Sequence, residues 1–137
     1  MRPSVGEEAG ATLIEVLVAV VILAIAAGAV IGGLFTSIAV SDVHRKQATA
    51  GAVAQDYAEK VAGGAYVECA GPSAYEIPAS AVPVPGGYSA DVDSVEYWNG
   101  SGWGGTCAAE GLQRITVVAS SDDGRATERS VVVVRQP

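Results

Sequence analysis

Histidine is nearly absent from this chain: among 137 residues only His44 occurs. A histidine-centred catalytic triad or a histidine-ligated metal therefore has one candidate member and no second one, and His44 is far in sequence from either cysteine. Basic residues are also scarce, eight Lys and Arg against fifteen Asp and Glu for a net charge of −7. That balance lacks the electrostatic footprint of a nucleic-acid binder, and no direct nucleic-acid contact is expected. No nucleophile elbow, phosphate-binding loop or metal-ligand cluster is found, so neither catalysis nor a cofactor is expected. Charge of either sign is missing almost completely from one stretch: between Ala11 and Val40 the only ionisable side chain is Glu15.

That stretch dominates the N-terminal third. Val16 to Val40 is an uncharged run of 25 residues, about 37 Å long as a helix against a bilayer core of about 30 Å. Three readings fit. It is a plain transmembrane anchor; or a secretory signal peptide cut near Ala24-Ile25-Ala26 or Ala27-Gly28-Ala29; or an apolar segment retained after a short leader is removed ahead of it. Glu15 weighs against the first two. A charge deep in a membrane helix costs on the order of 2.5–3.5 kcal/mol, and an anchor has no need of it. A signal peptide also wants a basic start and an unbroken apolar core, whereas here Arg2 is followed by Glu7, Glu8 and Glu15.

The run Gly10-Ala11-Thr12-Leu13-Ile14-Glu15-Val16-Leu17-Val18-Ala19 resembles the N-terminus of the type IV pilin and type II secretion pseudopilin family. In that family a leader ends in Gly, cleavage follows, a hydrophobic helix begins, and Glu is the fifth mature residue. Ala11 stands where Phe is usual, and the leader is acidic where a basic one is common. The resemblance covers about the first fifty residues and implies a leader at 1–10, cleavage between Gly10 and Ala11 by the prepilin peptidase, and N-methylation of Ala11. It also implies that Glu15 pairs with the new terminal amine of a neighbouring subunit. Two opposite charges in an apolar bundle each lose hydration, and pairing offsets much of that cost. Gly28-x-x-x-Gly32 and Ala29-x-x-x-Gly33 make a flat face on which helices approach closely.

The helical pattern does not stop at Val40. Val43, Ala50, Ala54, Tyr57 and Val61 form one apolar stripe at helical spacing, with Asp42, Arg45, Lys46, Gln47, Asp56, Glu59 and Lys60 around it. Gly63-Gly64 predicts the end. The expected organisation is therefore leader 1–10, transmembrane or filament-core helix 11–40, amphipathic half of the same helix 41–63, and a small head at 64–137. Residues 64–87 read as loop, with four prolines and Gly86-Gly87. Tyr88 to Asp93 alternates as a half-buried strand, and Leu112–Ala119 and Thr127–Val134 read as two more around an Asp123-Gly124 hairpin turn. Counting back from that turn sets Ile115 opposite Val132 and Val117 opposite Ser130 on the core face, with Arg114 opposite Val133 and Val118 opposite Arg129 on the other. The predicted fold class is α+β, a long helix packed on a small antiparallel sheet; the resemblance implies the same.

In the head, Cys69 and Cys107 read as a disulfide if the domain is exported and as free thiols if it is cytosolic. The segment Tyr97-Trp98-Asn99-Gly100-Ser101-Gly102-Trp103 is either a recognition loop built on Tyr97, Trp98 and Trp103 or a hairpin whose aromatics cover the end of the core. Asp122-Asp123 reads as a turn and Asp91 with Asp93 as a solvated strand face in preference to calcium ligands; no metal site is expected. The sum is a structural subunit, a minor pilin or pseudopilin precursor and not an enzyme. Its expected partners are other subunits of that kind, the prepilin peptidase, an inner-membrane assembly platform and the membrane. It would be a single-pass membrane protein with an extracytoplasmic head before joining a cell-surface or periplasmic filament. The alternative is an anchored extracytoplasmic binding or adhesion domain that never polymerises. The mature N-terminus discriminates between them.

Overall fold

A computed structural model describes residues 7–78 and 80–137, with side chains from Leu13 onward. Residues 1–6, Ala79 and the side chains of residues 7–12, Gly10 and Ala11 among them, lie outside the described set. One α-helix, α1 (Glu7–Ala62), and a single 3-10 turn (Pro72–Tyr75) are followed by four strands: β1 (Tyr88–Trp98), β2 (Trp103–Gly104), β3 (Leu112–Ser121) and β4 (Thr127–Arg135). The chain forms two units that meet between Ser41 and Asp42.

Among the described residues the first unit is helix alone. Every described side chain from Leu13 to Ser41 is exposed, large hydrophobics such as Leu13, Leu23, Ile25 and Phe35 included. A helix that is apolar all round, with nothing of its own to bury against, is suited to a lipid bilayer or a bundle of like helices. Thr36 and Ser37 do not interrupt it, because their hydroxyls donate back to the carbonyls of Gly32 and Gly33 at 3.1 and 3.0 Å.

The second unit, Asp42–Pro137, is α+β: the last part of α1, about six turns, packed on a four-stranded antiparallel sheet in the order β2-β1-β3-β4. On α1, Ala50, Val53, Ala54, Tyr57, Ala58 and Val61 are buried, a wider stripe than the sequence pattern predicts, and Val43 is half-buried at its start. Alanines at three of these positions let the helix lie close to the sheet. Across from them the inward residues of β3, Ile115, Val117 and Ala119, are completely buried. Each large one stabilises the fold by about 1.5–3 kcal/mol. The helix stops at Ala62 as expected, through bonds from Gly63 N–H to Glu59 O and Gly64 N–H to Val61 O. The left-handed backbone comes later, at Cys69 with φ of +55°.

The β3–β4 register agrees with the expectation at all four positions, Ile115 with Val132, Val117 with Ser130, Arg114 with Val133 and Val118 with Arg129. The turn that sets it is longer than two residues. Ser121 and Ala126 are the last bonded pair, and inside it Gly124 (φ +69°) donates to Ser121 O. A four-residue loop centred on Asp123-Gly124 preserves the pairing that a two-residue loop at the same place would give. β1 is where the expectation falls short: the strand runs on to Trp98. A bulge at Asp93 breaks its pairing with β3 between Val92 and Ser94. An extra residue on one strand reverses the alternation. Even-numbered Val92 and odd-numbered Val95 and Tyr97 therefore all point into the core.

Candidate functional site

Glu15 stands on the exposed surface of the first unit as its only described charge. About 20 and 25 Å further along the same helix, at 1.5 Å per residue, come Gly28 and Gly32. A side chain built at Gly28, Gly32 or Gly33 would meet no atom within 4 Å. The glycines are therefore not required by any contact within the described chain. They leave a shallow strip of bare backbone, the kind of surface against which a second helix packs closely.

In the head, Cys69 and Cys107 form a disulfide across 38 positions. Both cysteines are exposed, so the crosslink is a surface staple and no part of the core. It joins the loop after α1 to the loop before β3. Three tyrosines and a glutamine hold the same loop from inside. Gln113 is completely buried on the core face of β3. Its amide donates to Val67 O at 2.8 Å and its carbonyl accepts from the Tyr75 hydroxyl at 2.5 Å, while Val67 N–H donates to that hydroxyl at 3.1 Å. Tyr97 donates to Ala70 O at 2.7 Å, and Tyr57 accepts from Ile77 N–H at 2.8 Å. The loop, whose Ala70, Tyr75 and Val82 also enter the core, is thereby kept on the sheet with these backbone polar groups satisfied.

The structure divides the aromatic trio. Tyr97 is 6% exposed, and burial pushes its phenol above the ordinary value. It is a core residue, not a member of a surface loop, because the bulge at Asp93 turns it inward. Trp98 and Trp103 sit opposite each other on β1 and β2, half-buried, with rings edge to face at 5.4 Å. Arg114 lies over the Trp103 ring at 4.9 Å and reaches Glu96 through Nη2 and Nε at 2.6 and 2.8 Å. The intervening turn is built by Asn99, whose side-chain oxygen accepts from the backbone N–H groups of Ser101 and Gly102. This is the hairpin reading for Tyr97, and an aromatic and charged patch on the outer face of the sheet for the two tryptophans.

A charge network escaped the sequence reading. Lys46 on α1 bonds the carboxylate of Asp123 in the β3–β4 turn and lies 3.4 Å from Asp42. Arg45 reaches Asp42 at 2.8 Å, and Arg125 approaches Asp42 and Asp123 at 3.9 and 3.8 Å. The bond from Lys46, then those from the Ser121 hydroxyl and Arg125 N–H, hold Asp123 well below the usual carboxylate range. The same bond raises Lys46, against a smaller opposing effect of burial. No spacing in the sequence joins residues 46 and 123; only the folded hairpin does. Among the described residues no group of three or more His, Cys, Asp or Glu side chains is arranged to hold a metal ion.

Compared with known proteins, the chain matches no family model, no curated protein and no solved structure. What stands is one helix apolar and long enough to cross a membrane and a small disulfide-bonded α+β head.

Proposed function

We propose that the chain is the precursor of a minor structural subunit, of the pilin or pseudopilin kind, in a type IV pilus-like or type II secretion filament. The prepilin peptidase cuts it between Gly10 and Ala11 and methylates Ala11. The helix from Ala11 to Val40 holds it in the membrane with the head outside the cytoplasm. Glu15 pairs with the terminal amine of an adjacent subunit as an assembly platform passes it into the filament. The single observation that carries this reading is Glu15, the lone charge of a thirty-residue stretch directly after a Gly-Ala-Thr-Leu-Ile sequence. An unpaired carboxylate in apolar surroundings is costly, and the nearest cation that cleavage creates is the new amine, with a pKa of about 8. The open strip at Gly28 and Gly32 supports close helix packing, and the disulfide supports an oxidising compartment for the head. Its work is assembly, without turnover.

The test is the intact mass of the protein extracted from its native membrane. A polypeptide beginning at N-methylated Ala11 is expected. A chain still beginning at Met1 would leave the anchored, non-polymerising binding domain as the better reading, and one beginning near Ala27 would mean a signal peptide.

A further inference from the structure

Strand β4 is an edge of the sheet, and its pairing with β3 leaves one set of backbone groups unused. Ser121 with Ala126 and Gly111 with Gln136 are directly bonded pairs. In an antiparallel ladder bonded and non-bonded pairs alternate, so every even-numbered β4 residue bonds β3 and every odd-numbered one points its N–H and C=O away from it. Thr127, Arg129, Val131, Val133 and Arg135 thus present free donors and acceptors along one straight edge. Among the described residues none of these groups has another hydrogen-bond partner. Val131 and Val133 are 56% and 54% exposed, large for adjacent inter-strand positions in a small head. The inward side of the edge opens on a groove lined by Ala58, Glu59 and Ala62 of α1 and Ser130 and Val132 of β4.

We propose that β4 is a strand-addition site, and that its occupant is an extended segment of a partner chain in which two carboxylates flank two apolar residues at alternate positions. Charge selects the occupant. Along the outer face the edge reads Arg129, Val131, Val133, Arg135, a positive-apolar-apolar-positive row. An added strand meets it best with an acid, two apolar residues and an acid on that face. The side chains at the positions between would face the groove beside Ala58 and Ala62. Arg129 already touches Asp93 at 3.2 Å, yet its side chain is 62% exposed and can take a second carboxylate. A second copy of the chain fits poorly. Two-fold pairing about Val131 gathers four guanidinium groups on one face with no new carboxylate opposite, and pairing about Val132 sets Arg129 directly against Arg135. The arginines thus guard the edge against self-association while selecting an acidic partner. This holds whether or not the chain polymerises through its helix.

The probe is a labelled synthetic peptide, acetyl-Glu-Thr-Val-Thr-Val-Thr-Glu-amide, titrated with the full-length protein in detergent micelles and compared with the same peptide carrying Lys at both ends. Binding of the acidic peptide is expected, with slowed amide hydrogen exchange at Val131 and Val133 and affinity at least about tenfold above the Lys peptide. Val131→Pro removes one free edge donor and none of the β3 bonds, and should abolish binding. Should that variant misfold, the double charge reversal Arg129→Glu with Arg135→Glu still decides, since it should invert the preference between the two peptides. Exchange at Val131 and Val133 that ignores the acidic peptide overturns the proposal, as does a preference unchanged by charge reversal. Protection at these amides that instead grows with protein concentration alone also overturns it, because the occupant would then be a second copy.

Discussion

Gln113 is a sharp test of how the head is held together. It is 0% exposed, and its amide joins β3 to the loop backbone at Val67 and to the Tyr75 hydroxyl. Gln113→Leu keeps nearly the same volume, so no cavity is opened, and the loss is confined to hydrogen bonds. Two bonds of about 1 kcal/mol each disappear, and Val67 O is left with only a 3.3 Å contact to Tyr75 Oη. Part of the desolvation cost of that carbonyl is then added, for a total of about 2–3 kcal/mol. Near the midpoint of a head of this size that is a fall in Tm of about 10–20 °C. Tyr75→Phe removes the other half of the same connection and should cost a similar amount. Because the two side chains share a bond, the double variant should cost about 1 kcal/mol less than the sum. The assay is thermal unfolding of the full chain in detergent, read through the fluorescence of Trp98 and Trp103, the only tryptophans. A loss under about 0.5 kcal/mol for Gln113→Leu, or strict additivity with Tyr75→Phe, would refute the buried clamp, since a water-filled site predicts both.

Replacing Cys69 and Cys107 together with Ser should lower head stability by about 3–4 kcal/mol, from the entropy of a crosslink closing 38 positions. The strands should persist, which circular dichroism would show, because the Gln113 and tyrosine bonds still hold the loop; loss of strand signal would contradict this. The Lys46–Asp123 pair predicts a pH dependence. Asp123 is depressed in the folded state, so its contribution is complete above the ordinary carboxylate value of 3.8 and lost as pH falls below it. Lys46 is raised, so its contribution is complete below 10.5 and lost as pH rises beyond it. The Tm difference between the native chain and Asp123→Asn should therefore be level from about pH 5 to about pH 9 and shrink on both sides. A difference that is unchanged in acid would mean the pair does not form.

The sequence spoke most clearly where a local rule has a long reach. Asp123-Gly124 fixes a hairpin centre, and one centre dictates every facing pair of β3 and β4, so the register of Ile115 with Val132 was readable even though the loop is longer than the pattern implies. The helical stripe from Ala50 to Val61 was readable because burial imposes the period. β1 was cut short for the same reason in reverse. The bulge at Asp93 changes which parity faces inward, so the alternation ends at Val92 although the strand does not, and Tyr97 then looked like part of a loop. The clamp was hidden because most of what it holds, the Val67 and Ala70 carbonyls and the Ile77 N–H, belongs to backbone. One signal did exist: Gln113 shares the core parity of Ile115 and Val117, and a polar residue on a buried face needs a partner. The Lys46–Asp123 bond left no trace, since residues 77 positions apart meet only after folding. Glu15, Gly28 and Gly32 were visible as anomalies of composition, a charge and glycines in an otherwise apolar helix.

The most direct test of the account concerns Glu15 alone. Glu15→Gln keeps the size and the proposed Gly10-Ala11 cleavage sequence and removes only the negative charge. Expressed in the native background, it should be cut at Gly10 as usual, remain in the membrane with its head folded, and be absent or reduced at least about tenfold in sheared filaments, the loss of one buried charge pair being worth several kcal/mol. Filaments that take up the glutamine variant at the same ratio as the native chain would contradict the claim that this carboxylate docks on a neighbour's amine.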